Sequence, residues 1–176
     1  QLKDDGSLKK ASVKSLIDVL QECNTFIADH NCDELLAFAT SAIRESSNSD
    51  EILKKIKQET GVELQVLDGE HEAVLTFLAV RRWFGWSSGR LLVADIGGGS
   101  LEVAIGADEH PELAKSTPLG AGRLTRDFFS SETPSADEVK ALRKHVQATL
   151  QSDFADLIRG DFDHAVATSK TFRQLA

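Results

Sequence analysis

At 176 residues, with 41% hydrophobic and 27% charged side chains, the chain has the composition of an ordinary globular protein of one domain or two small ones. Its net charge of −8 argues against a nucleic-acid-binding surface, and no apolar run has the length of a membrane span or the pattern of a signal peptide. These features point to a cytoplasmic protein with no membrane or nucleic-acid partner, and a chain that opens on Gln1 and contains no Met reads as a piece of a longer one.

Val13, Leu16, Ile17, Leu20, Cys23 and Ile27 recur at helical spacing and predict a helix over 13–29. The apolar run 35–40 reads as a short buried strand, closing on Ser41-Ala42-Ile43-Arg44-Glu45. Ser49 with Asp50 and Glu51 starts a second helix that Gly61 stops, and 63–67 alternates as a strand. Asp68-Gly69 launches a third helix through Val74, Leu75, Leu78 and Val80, closed near Gly85. Its Arg81-Arg82 pair reads as a solvated face with Trp83 and Trp86 packed nearby. Cys23 and Cys32 have no metal-ligand spacing and read as buried free thiols of a reducing compartment.

After Ser87-Ser88-Gly89 the pattern changes to strands at 90–96, 100–106 and about 113–119, followed by a helix at about 121–130. Pro134-Ser135-Ala136-Asp137-Glu138 is a capping-box start for a helix running to about residue 158. An apolar strand at 164–168 and a helix opening on Ser169-Lys170-Thr171 complete the chain. The order α-β-α-β-α, then β-β-β-α-α-β-α, predicts an α/β fold with a largely parallel sheet entered through an antiparallel hairpin.

The most informative segment is Asp95-Ile96-Gly97-Gly98-Gly99-Ser100-Leu101-Glu102. Folded back symmetrically, it sets Ile96 opposite Leu101, Asp95 opposite Glu102 and Ala94 opposite Val103. Opposed like charges repel, so two carboxylates there want a cation between them, and Mg²⁺ beside phosphates is the usual oxygen-liganded choice. Bare glycine amides suit an oxyanion such as phosphate. An ordinary Gly-Gly-Gly hairpin with Glu102 in solvent fits the same spacing equally well.

This hairpin resembles the signature of the exopolyphosphatase and guanosine pentaphosphate phosphohydrolase family of the actin-like phosphotransferase superfamily. Four other stretches resemble that family in order and spacing: Phe38-Ala39-Thr40-Ser41-Ala42-Ile43-Arg44-Glu45, Gly69-Glu70-His71-Glu72-Ala73, Leu119-Gly120-Ala121-Gly122-Arg123-Leu124-Thr125 and Ala167-Thr168-Ser169-Lys170-Thr171-Phe172. The resemblance implies a partial actin-like (ribonuclease H-like) ATPase-type α/β fold. Residues 1–70 would be the C-terminal part of a first domain, and 71–176 a second domain carrying the Gly-rich phosphate-binding hairpin. Nothing here matches the family's first phosphate loop of the Asp-x-Gly-Ser-Asn type, so the isolated piece is expected to be inactive or severely impaired.

By that resemblance Glu72 is the catalytic base; read alone, it complements a helix dipole. Asp95 and Glu102 would hold Mg²⁺, and Gly97, Gly98, Gly99 and Ser100 would offer amides to phosphates. Arg44 either contacts phosphate or makes a surface ion pair with a neighbour such as Glu45. Gly120 and Arg123 are adequately explained as a turn glycine and a helix-start arginine, and His71 lacks a metal-spaced partner. The implied reaction is hydrolytic release of terminal orthophosphate from inorganic polyphosphate. The alternatives are guanosine pentaphosphate 5′-phosphohydrolysis, an actin-like ATPase or sugar kinase, and a non-catalytic alarmone-binding module. Family enzymes often pair through regions outside this stretch, so a homodimeric parent and a monomeric fragment are expected.

Overall fold

The computed structural model describes residues 3, 5–158 and 160–175. The chain divides into two compact units, Gln1–Asp68 and Gly69–Ala176.

In the first unit α1 (Lys10–Asp29) packs against α3 (Ser49–Thr60) through Val13, Ile17, Ile52 and Ile56. Each of these side chains is buried, and burying one fully is worth about 1.5–3 kcal/mol. Gly61 ends α3 in the left-handed conformation at φ 72°, as its position in the sequence predicts. Strand β1 (Phe38–Ala39) pairs in parallel with β2 (Gln65–Val66), and α2 (Ser41–Arg44) follows β1 directly. The run 35–40 is not a buried strand: Ala39 is buried, but Leu35, Leu36 and Phe38 are exposed. Among the described residues, this ladder of two strands, two residues each, has no neighbouring strand to cover them. Cys23 and Cys32 are free as expected, yet both are exposed rather than buried.

The second unit is built on a four-stranded sheet in the order β5-β4-β3-β6, formed by β3 (Leu91–Ile96), β4 (Leu101–Gly106), β5 (Leu113–Thr117) and β6 (His164–Thr168). β4 is antiparallel to both β3 and β5, and β6 joins β3 in parallel. The sheet is therefore mixed rather than largely parallel, because the hairpin and the next strand contribute two antiparallel pairings. The fold is α/β, as the element order predicts.

Helix α4 (Gly69–Phe84) covers one face, placing Ala73, Phe77 and Val80 on Leu91, Val93 and Ala104. The other face packs Leu101 and Ile105 with Leu119 and Phe154, joined by Leu124 of α5 (Ala121–Phe128) and Val146 and Leu150 of α6 (Ala136–Asp153). The capping box at Ser135 and Glu138 forms as predicted. The helix it starts does not reach residue 158 unbroken. It stops at Phe154, whose ring joins this core, and α7 (Ala155–Ile158) begins beyond it. Helix α8 (Ser169–Leu175) closes the described chain.

Arg81 is the largest departure from the sequence reading, for it is fully buried rather than solvated. Its guanidinium donates to Gly85 O, Ser88 Oγ, Gly89 O and Gly106 O, tying the end of α4 to the end of β4. Arg82 is the exposed member and pairs with Glu109. Trp83 and Trp86 are exposed rather than packed.

Candidate functional site

Side chains alternate across a pleated strand, so Leu91, Val93 and Asp95 share the α4 face of β3. Glu102, Ala104 and Gly106 occupy the same face of β4, and Ser116 stands beside Glu102 on β5. The hairpin register is the one the symmetric reading requires: Ile96 opposite Leu101, Asp95 opposite Glu102, Ala94 opposite Val103. Glu72, half-buried in the first turn of α4, lies on the helix that covers this face.

Glu102 is only 3% exposed, so the reading in which it points into solvent does not hold. Ser116 Oγ donates to its Oε1 at 2.7 Å, and the Ser100 hydroxyl lies near enough to act on the same carboxylate. Burial pushes the Glu102 carboxyl above its usual pKa and the two serine hydroxyls pull it down. The negative charges of Glu72 and Asp95 push it up again. The second unit thus brings two carboxylates, Glu72 and Asp95, into electrostatic reach of a third, Glu102, that is almost fully buried.

The turn between the strands is held from one side by α5. Gly97 N donates to Ser100 O at 3.0 Å across the turn, and Ala121 N donates to Gly97 O at 3.0 Å. Arg123 N donates to Gly98 O at 2.9 Å, and Arg123 Nε to Gly99 O at 2.8 Å. Gly120 is required for the close approach: a Cβ there would lie 2.2 Å from Gly99 C and 2.3 Å from Ser100 N. Sequence reasoning undervalued both residues. The available signal was the Gly-x-Gly-Arg pattern right after a strand, but its contact is with a turn some twenty residues earlier.

Ser169 was also missed as an individual residue. Its φ of 80° is unusual for a residue with a side chain, a conformation costing on the order of 1 kcal/mol. Its hydroxyl donates to Ile96 O at 2.7 Å, fixing the end of β3 where the turn begins.

Arg44 belongs to the first unit, where it is half-buried and its guanidinium donates to Leu67 O at 2.6 Å. His71 is exposed, and among the described residues no three of His, Cys, Asp and Glu group closely enough to hold a metal unaided. Asp95 and Glu102 can supply two carboxylates at most from the hairpin. That set still fits a hard divalent cation, which is commonly held by one or two carboxylates with waters and phosphate oxygens completing the shell. The charges of Glu72 and Asp95 acting on the buried Glu102 make a cation favourable there.

Known proteins resemble this chain along nearly its whole length. Exopolyphosphatase 1 of Mycobacterium tuberculosis is 51% identical over 172 residues, which cover 97% of this chain and 50% of that protein. Guanosine-5′-triphosphate,3′-diphosphate pyrophosphatase of Vibrio vulnificus is 28% identical over 174 residues, covering 99% of this chain and 35% of that protein. The crystal structure of an exopolyphosphatase from Cytophaga hutchinsonii matches with a TM-score of 0.88 at 26% identity, covering 97% of this chain and 55% of that one. The Aquifex aeolicus PPX-GPPA enzyme matches with a TM-score of 0.78 at 30% identity, covering 99% and 56%. The chain spans about half the length of the exopolyphosphatases it matches. The model of the Ppx/GppA phosphatase family matches residues 1–176 from end to end, and the chain belongs to that family.

Proposed function

We propose that this chain is the phosphate-handling part of an exopolyphosphatase-type phosphohydrolase, which releases terminal orthophosphate from inorganic polyphosphate. The observation that carries the reading is the buried Glu102 carboxylate, set opposite Asp95 and beside a glycine turn, with the charge of Glu72 acting on it. A buried carboxylate with two half-buried ones acting on it, next to a glycine turn, suits a cation and a polyanion together and serves no evident purpose in packing. The 51% identity to exopolyphosphatases, against 28% to a guanosine pentaphosphate pyrophosphatase, favours polyphosphate as substrate.

Glu72 orients a water and accepts its proton as the water oxygen attacks the terminal phosphorus in line. The bond from that phosphorus to the bridging oxygen breaks, leaving orthophosphate and a chain one unit shorter. Gly97, Gly98, Gly99 and Ser100 offer backbone N–H groups to phosphate oxygens. Asp95 and Glu102 would hold Mg²⁺, which when bound neutralises charge on the phosphates. We place the first domain's end at residue 70 and the second domain over 71–176, in a cytoplasmic enzyme.

The test is orthophosphate release by the chain extended to the length of its relatives, with Mg²⁺, given long-chain polyphosphate and guanosine pentaphosphate side by side. Release from polyphosphate that Glu72→Gln lowers by at least about a hundredfold, on the scale of general-base catalysis, is the expected result. Full turnover in the variant would remove Glu72 from the mechanism. Release from guanosine pentaphosphate alone would move the substrate to the alarmone.

A further inference from the structure

Three consecutive carbonyls of the glycine turn are taken up by the start of α5: Gly97 O by Ala121 N, Gly98 O by Arg123 N and Gly99 O by Arg123 Nε. The described peptide bonds are all trans, and in a planar trans unit the N–H points opposite to the C=O. Fixing those carbonyls therefore points the amides of Gly98, Gly99 and Ser100 away from the donors on Ala121 and Arg123. Among the described residues none of these three amides donates to a backbone acceptor. Successive amides aimed to one side form a concavity suited to an anion.

We propose that Arg123 is a positioning residue for this turn. Its main-chain and side-chain N–H groups hold the two peptide units whose amides, at Gly99 and Ser100, face the phosphate. The proposal rests on the phosphate-loop reading above and deepens it. It separates two roles an arginine can play here. As a charge contact to phosphate, Arg123 could be replaced in good part by lysine. As a positioning group it needs a donor at the place of Nε, which the flexible ammonium of lysine does not reproduce.

The experiment records amide resonances of ¹⁵N-labelled wild-type protein, Arg123→Lys and Arg123→Ala, with methyl signals of Leu101 and Ile105 reporting an intact core. Without any anion, both variants should displace or broaden the Gly99 and Ser100 amides while those methyl signals stay in place. Loop amides superimposable on the wild type would overturn the proposal. Inorganic triphosphate is then titrated. In the wild type the amides of Gly98, Gly99 and Ser100 should shift, and both variants should bind about ten- to a hundredfold more weakly, the range of a charge-assisted hydrogen bond. Wild-type affinity in Arg123→Lys, with loss only in Arg123→Ala, would make the residue a charge contact and overturn the positioning role. If the wild-type loop amides ignore triphosphate, the phosphate-loop reading fails, while the anion-free comparison still decides whether Arg123 holds the turn.

Discussion

Asp95 and Glu102 stand directly opposite one another across the β3–β4 hairpin, and Glu102 is almost wholly withdrawn from solvent. Two like charges in that relation destabilise the sheet they belong to unless something positive joins them. The second unit keeps the cost in place and adds to it with Glu72. That unrelieved repulsion is the physical ground for proposing a cation there.

The pH dependence of Glu102 follows from its raised pKa. A carboxyl whose pKa is higher in the fold than in the unfolded chain stabilises the fold below its unfolded value. That contribution is lost as pH rises through the folded value. Glu102→Gln should therefore raise the unfolding temperature at neutral pH in EDTA and flatten the loss that sets in as pH rises above 4.5. Added Mg²⁺ should stabilise the wild type increasingly, with the logarithm of its concentration once the site fills, and leave the variant unmoved. Thermal melts with and without the ion check both statements, and a variant less stable than wild type in EDTA would refute the first.

Gly120→Ala should push the glycine turn off α5, since the new Cβ meets backbone at 2.2 Å and no flexible side chain can yield. A loop displaced by roughly 1 Å is expected to lower orthophosphate release about a hundredfold in the full-length enzyme. The overpacking should cost about 1–3 kcal/mol in urea unfolding. Unchanged turnover would mean the turn is not part of the site.

Arg81→Met should destabilise the second unit by about 3 kcal/mol, because Gly89 O, Gly106 O and Ser88 Oγ would lose a buried donor. Arg81→Lys should recover only part of this, since one ammonium cannot serve acceptors on both sides. Urea unfolding followed by tryptophan fluorescence measures the difference.

Glu138 has the opposite sign. Its carboxylate accepts from Ser135 and Ser130, and these hydrogen bonds hold its pKa down at about 2 against the usual 4.5. A depressed carboxylate pKa gives stability that is present above 4.5 and lost as pH falls toward about 2. Circular dichroism across that interval should show α6 loosening in the wild type, and Glu138→Gln should remove the dependence.

Much of the fold was legible because its causes are local. The hairpin register follows from a two-residue period on either side of one glycine turn, and a slip of one residue would have thrown Val93 and Ala104 out of the core. Ser135 and Glu138 cap α6 through contacts within three residues of each other. Gly61 stops α3 because its backbone alone accepts the left-handed turn at low cost. At the site, the opposition of Asp95 and Glu102 was readable on the same terms.

Whatever depends on residues far apart in sequence escaped the pattern. Arg81 looks like any helical arginine until Gly106, 25 positions later, supplies a carbonyl beneath it. Phe154 ends a helix of good sequence pattern and buries its ring in the cluster of Leu101, Ile105 and Leu119. Leu35, Leu36 and Phe38 are apolar but exposed, since hydrophobicity states a preference for burial and only neighbouring strands can satisfy it. Arg123 and Gly120 belong to the glycine turn solely through the packing of α5 against it. The sequence by itself determined the alternation of elements, their caps and the pairing within the hairpin, where hydrogen-bond partners are neighbours along the chain. Which polar groups are buried, which apolar ones are exposed, and what holds the glycine turn were decided only when distant segments met, because desolvation and close approach are properties of the assembled surface.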